Sequence, residues 1–110
     1  MQVAVETQII APPETVFDTL ADIQRWPEFI SAIEAIELLN ADTFAQGLRF
    51  RETRIMFGRK ASEEMTVVTL ERPRLMVFTA ESHGTRYRSE HRIAPEGTGT
   101  HLTLMFEGRP

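Results

Sequence analysis

The polarity pattern of this 110-residue chain has two regimes: a short stretch at helical spacing near the N-terminus, then a long series of strand-like segments. Val3, Val5 and Ile9 share a parity, with Thr7 between them, while Gln2, Glu6 and Gln8 take the other side; this predicts a half-buried first strand. In Ala11-Pro12-Pro13-Glu14 the prolines suit a first helical turn, and Glu14 suits the positive end of the helix dipole. Val16, Phe17 and Leu20 then recur at helical spacing, which predicts a short amphipathic helix from Pro13 to about Ala21. Asp22-Ile23-Gln24-Arg25 reads as a turn, and Trp26-Pro27-Glu28-Phe29-Ile30 opens a second short helical segment.

From Ile33 onward the pattern is strand after strand. Strands are expected over Glu34–Leu39, Leu48–Ile55, Arg59–Leu70, Leu75–Ala80, Thr85–Ile93 and Thr100–Glu107. Between them lie Asn40-Ala41-Asp42, Gly58, Arg72-Pro73-Arg74, Ser82-His83-Gly84 and the loop Pro95-Glu96-Gly97-Thr98-Gly99. Such spacing predicts an antiparallel meander. Two helices this short do not form a full layer and must grip one face or end of the sheet. The expected fold class is α+β, a bent antiparallel sheet of six to seven strands with two short helices after strand 1.

Composition narrows the partners. A mass of 12.6 kDa supports one core and one domain. Twelve basic against sixteen acidic residues give a net charge of −4, so no basic surplus exists to drive nucleic-acid binding. With no cysteine there is no disulfide framework, thiolate zinc site or Cys nucleophile. No secretory leader and no transmembrane segment is read, so the expected localisation is cytoplasmic. Three histidines without i,i+4 or H-x-H spacing predict no metal site, and no cofactor is expected. Gly97-Thr98-Gly99 follows a strand and precedes no helix, so it is no phosphate cradle.

The opening strand with Ala11-Pro12-Pro13-Glu14-Thr15-Val16-Phe17, then Leu20-Ala21-Asp22 and Trp26-Pro27-Glu28-Phe29, resembles the polyketide cyclase/dehydrase and lipid-transport group. That group belongs to the START-like, or Bet v 1-like, helix-grip superfamily (SRPBCC). Gly47-Leu48-Arg49-Phe50-Arg51 and Glu71-Arg72-Pro73-Arg74-Leu75-Met76-Val77-Phe78 fit it too. The resemblance implies a concave cavity for a small apolar molecule, closed by a long C-terminal helix. Only Met105-Phe106-Glu107-Gly108-Arg109-Pro110 is left for such a helix. The expectation is therefore one helix-grip domain over residues 1–110 lacking that element, with a homodimer covering the open sheet face.

Strand parity sorts the candidate residues. Arg86, Arg88, Glu90 and Arg92 share one parity and are expected in solvent; Tyr87, Ser89, His91 and Ile93 then face inward. His101 falls on the outward parity of the last strand, opposite to Leu102, Leu104 and Phe106. Met76, Phe78 and Ala80 are placed inward on the family pattern. The expected ligand-binding set is Trp26 and Phe29 at the rim, with Phe50, Arg54, Glu63, Met65, Met76, Phe78, Ser89, Leu102, Leu104 and Phe106.

The leading functional expectation is binding of a lipid, isoprenoid or polyketide-like ligand. A cyclase or dehydratase is the alternative. In it His91 is the acid–base group, Glu52 or Glu63 orients it, and Tyr87 polarises a carbonyl. A protein–protein module is the third class. Arg54 with Glu52 or Glu63 reads equally as a structural ion pair.

Overall fold

A computed structural model describes residues 1–82 and 84–110; His83, assigned above to a turn, lies outside the described residues. The chain runs β1 (Gln2–Ile9), α1 (Pro13–Ala21), a 3-10 turn (Ile23–Arg25), α2 (Trp26–Phe29) and six further strands. These are β2 (Ile33–Leu38), β3 (Arg49–Met56), β4 (Arg59–Glu71), β5 (Leu75–Ser82), β6 (Thr85–Glu96) and β7 (Gly99–Arg109). All seven strands form one antiparallel sheet in the order β1-β7-β6-β5-β4-β3-β2. The expected α+β helix-grip class is the one observed.

This order puts β1 and β2 at opposite edges. The helical connection between them therefore has to cross six inter-strand spacings, about 29 Å if the sheet were flat. A nine-residue α1 covers about 13.5 Å of that distance. The connection therefore runs obliquely over only part of the inward face, from beside Thr100 where β7 begins to beside Ile55 near the β3–β4 turn, and it buries Val16, Phe17, Ile23 and Trp26 against Phe50, Val67, Met76, Phe78, Ile93 and Leu102.

Aromatic packing fastens it there. The Trp26 ring meets Phe50 and Phe78 edge-on at 6.1 and 6.0 Å, and Phe50 meets Phe78 in the same way at 6.0 Å. The Trp26 indole N–H donates to the Leu20 carbonyl at 3.1 Å, so its polar end is satisfied within the connection itself. Thr100, 1% exposed, donates its hydroxyl proton to the Ala11 carbonyl at 2.6 Å and pins the entry to α1. Next to it, a Cβ on Gly99 would lie 2.5 Å from the Ile9 carbonyl oxygen, so β1 and β7 approach too closely for any other residue. Arg72 completes the attachment by donating to both Asp18 carboxylate oxygens at 2.9 Å, and that hydrogen bond holds the Asp18 carboxyl below its ordinary range.

Two local expectations are corrected and one, the turn at Asp22–Arg25, is sharpened. The loop expected at Pro95–Gly99 is mostly strand, because Pro95 pairs with Thr100 and Glu96 with Gly99; only Gly97 and Thr98 turn. Asp22–Arg25 contains a 3-10 turn, since the chain must keep its helical hand to deliver Trp26 to the core. The first strand is far less buried than its alternation suggests. Val3 and Val5 are 48% and 54% exposed, because β1 is an edge strand whose inward face nothing covers.

Replacing Phe78 with Ala removes the ring against which Trp26, Phe50 and His91 all pack. We expect a loss of roughly 3–5 kcal/mol in urea unfolding, enough to leave the domain marginal.

Candidate functional site

The inward face of the sheet carries two zones. Phe50, Met76, Phe78 and Leu102 are buried to 6% exposure or less beneath Trp26 and the helices. Trp26 itself, expected at a rim, is buried, whereas Phe29 stays half exposed. These residues form packed core, so no open hollow lies between them. Met65, Ala80, Tyr87, Ser89, Leu104 and Phe106 occupy the other zone, toward the end where β6 begins and β7 finishes. They are only partly buried, and Phe106 is 38% exposed. Tyr87 and Phe106 stack at 5.5 Å with 23° between their planes, making a flat apolar wall.

His91 sits where the zones meet. Its ring stands edge-on to Phe78 at 5.4 Å, and its Nδ1 is solvent-inaccessible with no hydrogen-bond partner among the described residues. Burial pushes its pKa down to about 4, so the imidazole is neutral at physiological pH. The residues proposed to work with it are not beside it. Tyr87 is four residues away on the same strand, about 13 Å along β6. Glu52 lies on β3, three strands from β6 and so about 14 Å across the sheet. Glu52 is 5% exposed and held by Arg54, the structural ion pair among the earlier readings. Glu63 pairs with Glu52 in register and is exposed near the β3–β4 turn, so it cannot orient His91 either.

The outward face corrects another expectation. Arg86, Arg88 and Arg92 reach solvent as their parity requires, but Glu90 on the same parity is 7% exposed. Arg88 and Arg92 fold over it, the latter at 2.9 Å. Desolvation alone would raise the Glu90 pKa; the hydrogen bonds from Arg92 and Arg88 outweigh it and hold the carboxyl below its ordinary range. A cleft of about 830 Å³ opens here, lined chiefly by outward residues, among them Glu64, Thr79, Arg88 and Glu107, and also by Ala80 and Tyr87 of the inward set. Its carboxylates are already paired, Glu64 with Arg49 at 2.8 Å and Glu107 with Arg109. Nothing in the alternation announced this trough, because a stripe of outward charges reads as an ordinary solvated face. No cluster of three potential metal ligands occurs among the described residues.

Residues 1–110 match the family described as polyketide cyclase/dehydrase and lipid transport. The chain belongs to this family. The fold recurs in ginseng major latex-like protein 151 from Panax ginseng, with a TM-score of 0.86 at 10% identity, over 99% of this chain and 78% of that one. A START superfamily protein from Mycobacterium smegmatis superposes with a TM-score of 0.84 at 14% identity, over 98% of this chain and 76% of that one. The di-domain ARO/CYC BexL of the BE-7585A biosynthetic pathway does so with a TM-score of 0.80 at 17% identity, over 96% of this chain and 35% of that one. At these identities the likeness establishes the fold. No curated protein matches the sequence.

The depressed pKa of His91 has a definite sign. The folded state takes up this proton less readily than the unfolded chain, so the stability is fully present above pH 6.5 and lost as pH falls toward 4. The loss attributable to His91 is about 3 kcal/mol over that window. His101 works in the opposite sense: its hydrogen bond to Glu6 raises its pKa, and its contribution fades as pH rises. Comparing urea midpoints of wild type and His91→Leu from pH 7.5 to 4 isolates the first effect, and the wild type should lose more on acidification.

Proposed function

We propose that the uncovered half of the inward face binds a small hydrophobic or amphipathic molecule of lipid, isoprenoid or polyketide type. The observation that carries this reading is the exposed apolar surface itself. Val3, Val5 and Phe106 lie on one face in adjacent register and are 48%, 54% and 38% exposed. The molecule's accessible area is 7167 Å², about 1,000 Å² more than the roughly 6,200 Å² expected for its mass. Apolar side chains left exposed side by side, as Val3, Val5 and Phe106 are, mark a surface that something covers.

The wall offers what such a ligand needs. Tyr87 stacked on Phe106 supplies a flat apolar surface, Ser89 a hydroxyl between them and His91, and His91 a ring that carries no charge at neutral pH. Binding is favoured over catalysis because His91, Tyr87 and Glu52 stand about 13 Å or more apart, and Glu52 is committed to Arg54. A second copy of the chain covers what the ligand leaves open, since Val3 and Val5 on the edge strand β1 stay exposed beside Phe106.

Native mass spectrometry followed by denaturing extraction tests both parts, with a dimer carrying a stoichiometric apolar molecule as the expected result. With 8-anilinonaphthalene-1-sulfonate as probe, Ala80→Trp and Ser89→Trp should weaken binding roughly tenfold or more by filling the open zone. Arg88→Glu on the outward face should leave binding unchanged. An effect of Arg88→Glu without one from Ser89→Trp would move the site to the charged trough.

A further inference from the structure

The β3–β4 hairpin turns through Phe57 and Gly58, which both have positive φ, 52° and 76°. Glycine adopts this conformation freely, and asparagine tolerates it, but for a bulky residue it is strained. Strain of this kind is offset when the side chain packs. Phe57 does not pack: it is 100% exposed. A large aromatic ring is thus held in water at the tip of a projecting hairpin, in a backbone conformation that disfavours it.

Its surroundings give the ring a use. Ile55 is 43% exposed on the same hairpin. The backbone N–H of Ile55 donates to the Ala32 carbonyl at 3.0 Å, which sets the end of α2 beside the hairpin and brings Phe29, 50% exposed, to the same end of the sheet. Arg54 on one side and Arg59 and Lys60 on the other bracket this apolar tip. Glu52 holds Arg54, and Glu34 lies 3.1 Å from Lys60, so the tip keeps the positive charge of Arg59. Apolar side chains that project beyond the fold, bordered by cations, match the interface of an anionic bilayer, where rings enter the acyl boundary and cations meet phosphate. The same end carries Ala80, Tyr87 and Phe106, because β5 and β7 finish there and β6 begins there.

We propose that this end of the sheet docks on an anionic lipid surface, with Phe57 and Ile55 inserted and Arg59 against the headgroups. Docking there turns the open apolar zone toward the membrane, so an apolar ligand passes between bilayer and protein without crossing water; this last step rests on the ligand-binding reading above.

The test is flotation with vesicles of phosphatidylcholine, with and without phosphatidylserine. Wild type is expected to float with the anionic vesicles and to be released by salt. Phe57→Asn should weaken that association roughly tenfold, since it removes the apolar ring. Its thermal midpoint should be held or raised, because asparagine suits the turn. Arg59→Glu should abolish the preference for phosphatidylserine. Failure of wild type to float, or flotation of Phe57→Asn equal to wild type, overturns the proposal. So does a self-association that Phe57→Asn abolishes in the absence of vesicle binding, which would make the tip a contact between copies. Binding of 8-anilinonaphthalene-1-sulfonate should be unchanged in Phe57→Asn. Flotation without probe binding would remove the ligand reading and leave docking intact; probe binding without flotation would do the reverse.

Discussion

The rest of the structure depends on fastening a helical connection that must travel from one edge of a seven-stranded sheet to the other. The connection is too short to lie over the whole face, so it is anchored at a few points. Trp26 is the main one, set edge-on against Phe50 and Phe78 with its N–H returned to Leu20. The Asp18–Arg72 pair and the Thr100–Ala11 hydrogen bond hold the first part of the path beside the β4–β5 turn and the start of β7. Because the helices cover only part of the inward face, that face splits into a dry core and an accessible zone. His91, neutral and edge-on to Phe78, marks the line between them.

Much of this was legible in the chain. Period-2 alternation in Thr85–Ile93, with four charges on one parity, sorted that strand's faces correctly, and the Pro-led helical segments appeared where Val16, Phe17 and Trp26 required them. Parity failed where burial depends on neighbours the pattern does not encode. Glu90 is outward by parity yet buried, because arginines two residues to either side on its own strand close over it. Val3 and Val5 are inward by parity yet exposed, because edge position and missing cover are properties of the topology. A one-dimensional pattern states which face a side chain takes, and says nothing of what lies above that face.

The candidate site fared the same way for the same reason. Each inward residue named from the alternation does face inward, but the set divides by depth: Phe50, Met76, Phe78 and Leu102 are sealed, while Met65, Ser89, Leu104 and Phe106 remain reachable. The acid–base grouping of His91, Tyr87 and Glu52 was assembled by residue type, and strand order then set those groups far apart. Distance across a sheet is fixed by strand order, and no spacing in the sequence gives that order when β1 lies beside β7.

The accessible zone is the part of the inward face that the helices leave uncovered. Where the helices pack, Thr100 and Trp26 satisfy their polar atoms within the fold. At the hairpin end, Val3, Val5, Phe106, Ile55 and Phe57 keep large apolar surfaces in water, and Phe57 does so from a strained backbone. A domain of this size has little stability to spare, so apolar side chains kept side by side in water, as Val3, Val5 and Phe106 are, are informative. Folding needs the packed end to be complete. The other end is held by sheet pairing, and the apolar surface it keeps in water is what a ligand or a lipid surface would cover.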